Sequence, residues 1–120
     1  MEHIDMEKIA ELIRRAGYVA YVQQTGGGVA TIYASRTANE HGFPHEIDAD
    51  GHVEAIAGPG WFEGQSWTQP RAALDDFYVG PDDDGVAEPY AATAADDEAS
   101  LAAKMIATMT GEATYHERAQ

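Results

Sequence analysis

Cysteine is absent from the 120 residues. Its absence removes disulfides, thiolate metal sites and a cysteine nucleophile, and it suits a reducing compartment. Basic residues are scarce: seven Lys and Arg stand against 21 Asp and Glu, a formal net charge of −14. A surface of that sign repels phosphate backbones and anionic lipid, so neither direct nucleic-acid binding nor membrane-surface attachment is expected. A local patch of Arg14, Arg15 and Arg36 would be the way around this. Long apolar runs are lacking as well. None approaches the ~18 residues of a membrane span. The opening Met1-Glu2-His3-Ile4-Asp5 has no basic region ahead of an apolar stretch, so no secretory leader is expected and the cytoplasm is the expected location.

What is present fits a folded protein. The apolar share is 44%, and the length suits one domain, 1–120, that buries roughly two-thirds of its unfolded surface. The acids are unevenly spread. Between Arg71 and Lys104 there is no Lys or Arg, but Asp75, Asp76, Asp82, Asp83, Asp84, Glu88, Asp96, Asp97 and Glu98 all fall there. The bland reading is solubility; the sharper one is an acidic face that meets a basic partner.

Helical periodicity marks both ends of the chain. Met6, Ile9, Leu12, Ile13 and Ala16 share one side of a first helix. Asp5 suits its N-cap, with a carboxylate able to accept from the amides of Glu7 or Lys8. Ile4 and Ile9 have the spacing of a hydrophobic staple. Gly17 suits the left-handed position after the last turn, and Arg14 and Arg15 complement the helix dipole. A second helix is predicted over 97–110, with Leu101, Ala102, Met105, Ile106 and Met109 on one face, Asp96 or Asp97 as cap and Gly111 as stop. The tail over 112–120 is expected to fray.

Strand patterns lie between. Segments 18–24 and 29–35 are rich in Val, Tyr, Ile and Thr and flank Thr25-Gly26-Gly27-Gly28. A turn on Gly26-Gly27 would pair Tyr21 with Ile32 and Val19 with Ala34, leaving Val22, Thr31 and Tyr33 on a second, mixed face. A second hairpin is predicted over 43–57. A three-residue loop ending in Gly51 would pair Ile47 with Val53, His45 with Ala55 and Phe43 with Ala57, which segregates the faces. Gly58-Pro59-Gly60 follows, then an aromatic stretch with Trp61, Phe62 and Trp67 that Pro70 breaks. A last short strand over 74–79 would carry Phe77, Tyr78 and Val79. The Gly-, Pro-, Asp- and Ala-rich stretch over 80–96 reads as an acidic loop.

No catalytic motif is complete. The triple glycine lacks the lysine and following helix of a phosphate-binding loop, because Val29 and a strand follow it. Gly64-Gln65-Ser66-Trp67-Thr68 lacks the last glycine of a nucleophile elbow. His41, His45 and His52, with Glu40, Glu46, Asp48, Asp50 and Glu54 nearby, are the residue types that ligate zinc or manganese. The predicted hairpin register, however, puts His45 on the core side and His52 with the acids on the other. Asp82-Asp83-Asp84-Gly85 lacks the alternating acids and the twelfth-place glutamate of a calcium loop; consecutive carboxylates in such a turn are ordinarily solvated. No metal and no cofactor is expected. Trp61, Phe62 and Trp67 are read either as a lid on the core or as an interaction patch.

Three stretches together resemble small, acidic proteins of unassigned activity from actinobacteria and their phages. They are Thr25-Gly26-Gly27-Gly28-Val29-Ala30-Thr31-Ile32-Tyr33-Ala34, Gly58-Pro59-Gly60-Trp61-Phe62-Glu63-Gly64 and Asp76-Phe77-Tyr78-Val79-Gly80-Pro81-Asp82-Asp83-Asp84-Gly85. The resemblance implies an accessory or phage-encoded interaction protein and brings no functional residues with it.

The expected fold is α+β: an N-terminal helix, four to five antiparallel strands in hairpins and a C-terminal helix, both helices on one sheet face. The expected function is a non-enzymatic module that binds a protein with a basic surface. Trp61, Phe62, Trp67, Asp75, Asp76, Asp82, Asp83 and Asp84 are its candidate contacts, and carboxylates over 75–98 that imitate nucleic-acid phosphates are a special case. A metal- or ligand-binding protein or enzyme using His41, His45 and His52, and a structural oligomer, are the alternatives.

Overall fold

A computed structural model describes residues 3–26, 29–38, 40–42, 55–61, 71–73, 77–81 and 90–110. The chain enters through a short strand, β1 (His3–Asp5), and turns directly into helix α1 (Met6–Arg15). Asp5 is the N-cap: its carboxylate accepts from the Lys8 amide at 3.2 Å. The other end closes as a Schellman motif. Gly17 has φ +97°, its amide donates to the Arg14 carbonyl at 3.0 Å, and the Tyr18 amide reaches the Ile13 carbonyl at 3.3 Å. Met6, Ile9 and Ile13 of the expected stripe are buried, joined by Ala10, whereas Leu12 is half-buried and Ala16 at the C-cap is exposed.

Strands β2 (Val19–Gly26), β3 (Val29–Ser35), β4 (Ala55–Trp61), β6 (Tyr78–Pro81) and β7 (Tyr90–Ala91) form an antiparallel sheet in the order β2-β3-β4-β6-β7. Strand β5 (Arg71–Ala73) leaves that sheet and pairs with β1, placing Ile4 opposite Ala72. Helix α2 (Glu98–Thr110) ends the described chain. Both helices touch each other and β3, α1 also packs on β2, and α2 also packs on β4 and β6. The fold is therefore α+β, as expected, with helices laid against an antiparallel sheet.

The core face of the sheet is built from two cross-strand rows. Ala20, Ala34 and Ala55 follow one another across β2, β3 and β4; Val22, Ile32, Ala57, Val79 and Tyr90 follow one another from β2 to β7. Half of these residues are alanine, and Ala20, Ala34, Ala55 and Ala57 are all fully buried, as is Ala30 on β3. The bulk comes from the other layer, where Ile9, Ile13, Leu101, Met105 and Met109 are buried on the helices. Small side chains on the sheet make room for large ones on the helices. Each such Ile, Leu or Met contributes about 1.5–3 kcal/mol through burial.

The first hairpin forms with a register one residue away from the expected one. Tyr21 pairs with Tyr33 and Val22 with Ile32, and the register shifts between Gln24 and Gly26. That single extra residue moves every β2 side chain to the other face, while Ile32 and Ala34 stay on the core face. Tyr21 is consequently exposed and Val22 half-buried against the core.

The expected pairing of Ala55 with His45 and of Ala57 with Phe43 does not form. A strand has two edges, and those of β4 are taken by β3 and β6: Ala55 lies between Ala34 and Pro81, and Ala57 between Ile32 and Val79. The rest of the predicted second hairpin, 43–54, lies outside the described residues. Gly58-Pro59-Gly60 belongs to β4. Gly58 and Pro59 together stand opposite the single Thr31, because Ile32 pairs with Ala57 and Ala30 with Gly60. A bulge is one of the few sheet positions that tolerates a residue with no N–H to donate.

The predicted strand over 74–79 also moves, to Tyr78–Pro81. Gly80 and Pro81, read from their residue types as loop, pair with Ile56 and Ala55 at the strand's end. The predicted loop over 80–96 holds β7 and the turn that follows it; 82–89 lies outside the described residues.

Two substitutions test this packing. At Gly17 no atom lies within 4 Å of an added Cβ, so Gly17→Ala meets only backbone strain at φ +97°. It should destabilise by about 1–2 kcal/mol; an unchanged urea midpoint would show that the left-handed cap is not formed. Ala34→Leu places extra methylenes beneath both helices and should destabilise by about 1–3 kcal/mol. Equal stability of this variant and the parent in urea would contradict close packing on the alanine rows.

Candidate functional site

The charged chemistry of the described structure gathers where β7 meets α2. Tyr90 ends the second core-face row, opposite Val79, with its side chain toward the helix layer. The Ala92 amide continues the pairing with β6 by donating to the Phe77 carbonyl at 2.9 Å. The chain then turns: the Asp96 amide donates to the Thr93 carbonyl at 2.9 Å, while the Thr93 amide donates back to Asp96 Oδ2 at 2.9 Å. Helix α2 starts two residues later, at Glu98. Asp97 is its N-cap and accepts from the Ser100 amide at 2.8 Å, and the Asp97 amide donates to Ser100 Oγ at 2.9 Å. This is a reciprocal capping box with serine in the place usually taken by glutamate.

Asp96, the residue before the cap, is buried at 5% exposure. Its Oδ2 accepts from the Tyr90 hydroxyl at 2.8 Å, from the Thr93 amide, and from Thr93 Oγ1 at 3.4 Å. Its Oδ1 accepts from Ser100 Oγ at 2.8 Å and from Lys104 Nζ at 3.0 Å. Ser100 has a second acceptor at 3.1 Å, the Asp97 carbonyl, but one proton to give. The shorter bond to the charged carboxylate takes it. Ser100 and Lys104 reach the same oxygen because they lie four residues apart on one helix face. The Lys104 ammonium also sits 4.7 Å from the centroid of the Tyr90 ring.

Protonation follows from this arrangement. Burial pushes the Asp96 carboxyl up, but the bonds from Thr93, Tyr90, Lys104 and Ser100 outweigh it and hold the group well below the usual carboxylate range. Burial likewise pushes the Lys104 ammonium down, and the hydrogen bond and attraction to Asp96 outweigh that and raise it. Tyr, Ser, Lys and Asp side chains in one place resemble a catalytic set, yet near neutral pH the carboxylate is a weak base and the amine stays protonated. Ser100 Oγ is meanwhile engaged as donor and acceptor. The cluster is built to pin β7 to α2 rather than to move protons.

Glu98 carries the pin further. Its Oε2 accepts from the Asp5 amide at 3.1 Å. In a capping box that amide would be satisfied from within α1, but Lys8 holds the position. A carboxylate from the first turn of α2 takes its place, and it complements the dipoles at both helix starts.

Of the residues singled out from sequence, Trp61 closes β4 opposite Val29. Phe62, Trp67, Asp75, Asp76, Asp82, Asp83 and Asp84 lie outside the described residues. His41 is exposed, with Nε2 3.4 Å from Glu40 Oε1; His45 and His52 are outside. Among the described residues no three His, Cys, Asp or Glu side chains gather as a metal would require. The Arg14–Arg15–Arg36 patch is countered in part: Arg14 donates to the Ala20 carbonyl at 2.9 Å, and Arg15 pairs with Glu11. No described helix is long and apolar enough to cross a membrane. The buried cluster itself was not anticipated, although the spacing Asp96, Ser100, Lys104 on a predicted helix face was visible.

Asp96→Ala leaves a mostly buried ammonium without its partner and should destabilise by about 3 kcal/mol. The pH dependence has a definite sign. The folded carboxyl lies below its unfolded value, so its contribution is complete above about pH 4 and fades as pH falls further. Urea unfolding at pH 7 and pH 3 should show a smaller loss between the two for Asp96→Asn than for the parent. Equal losses would mean that the carboxylate is not held as described. No family model, curated protein or solved structure matches this chain.

Proposed function

We propose that this chain is a non-enzymatic, acidic protein-binding module whose partner presents a basic surface, in the manner of an accessory factor of actinobacteria or their phages. The observation that carries the proposal is the uncompensated charge. The chain holds 21 acids against seven bases, and several of those bases serve internal contacts. Lys104 bonds Asp96, Arg15 pairs with Glu11, and Arg14 serves the Ala20 carbonyl.

The acids divide in the same way. Asp96, Asp97 and Glu98 are used within the fold. Asp75, Asp76, Asp82, Asp83 and Asp84 are the ones assigned to the partner, with Trp61, Phe62 and Trp67 as the candidate apolar anchor. Charge of one sign steers association and selects partners more than it adds affinity, so the contact would form fast and weaken with salt.

The test compares the tagged protein with an Asp82→Asn, Asp83→Asn, Asp84→Asn variant in pull-downs from an actinobacterial lysate. Washes at roughly 0.1 M and 1 M salt change the screening length from ~10 Å to ~3 Å. Expected is a stoichiometric protein that the parent retains at low salt and releases at high salt, and that the variant fails to retain at either. Retention indifferent to both salt and the substitutions, with the variant folded by circular dichroism, would contradict the proposal.

A further inference from the structure

We draw no further inference here: the strongest candidate, the outer face of the five-stranded sheet where Tyr21 and Tyr78 are exposed, is an aromatic surface on which nothing in the structure shows what covers it.

Discussion

A carboxylate taken out of water has to be surrounded by donors, and that requirement at Asp96 organises the C-terminal half of the described fold. Stripping a charge of its hydration costs several kcal/mol even in a relaxed protein interior. Asp96 offsets the cost with donors from a strand, a turn and two successive turns of a helix. Each partner is thereby constrained. Tyr90 must stand on the core face of β7, the 93–96 turn must be tight, and α2 must start where Ser100 and Lys104 point back at the same oxygen. Removing any one donor weakens the case for burying the charge at all, so the cluster acts as a unit.

The same polar chain reaches the N-terminal half through Glu98. Its contact with the Asp5 amide joins the two helix starts, while Ile4 anchors β1 beneath them in the core. The apolar layer supplies most of the stability, yet alanine rows facing Leu, Ile and Met side chains do little by themselves to select one helix placement. The directional bonds at Asp96 and Glu98 supply that selection.

The two helices were legible in the sequence because capping is local. Asp5, Gly17 and Asp97 do what their residue types predict, since every atom involved lies within a few positions in the chain. The sheet was legible as a class but not in register. One bulged residue before the Gly26–Val29 pair inverted the faces assigned to Tyr21 and Val22, and nothing short-range distinguishes the two registers. Gly58-Pro59-Gly60 looked like punctuation because a bulge that accommodates proline depends on the strand beside it. Strand β1 was hidden for a similar reason: its partner is β5, more than half the length of the chain away. Of the site, the spacing of Asp96, Ser100 and Lys104 was present in the sequence. Tyr90 and Thr93 were not predictable as partners, because strand β7 and the turn bring them there from a segment whose composition reads as loop.

The most direct measurement is the NMR titration of the Asp96 side-chain carboxyl carbon from pH 7 down to about pH 2. With its donors in place, Asp96 should keep the chemical shift of an ionised carboxylate below the usual carboxylate range, and should change only as the protein unfolds in acid. If Asp96 instead protonates near the ordinary value of an aspartate, about pH 4, while the fold persists, the carboxylate is not enclosed by Tyr90, Thr93, Ser100 and Lys104, and the cluster does not hold the C-terminal half together.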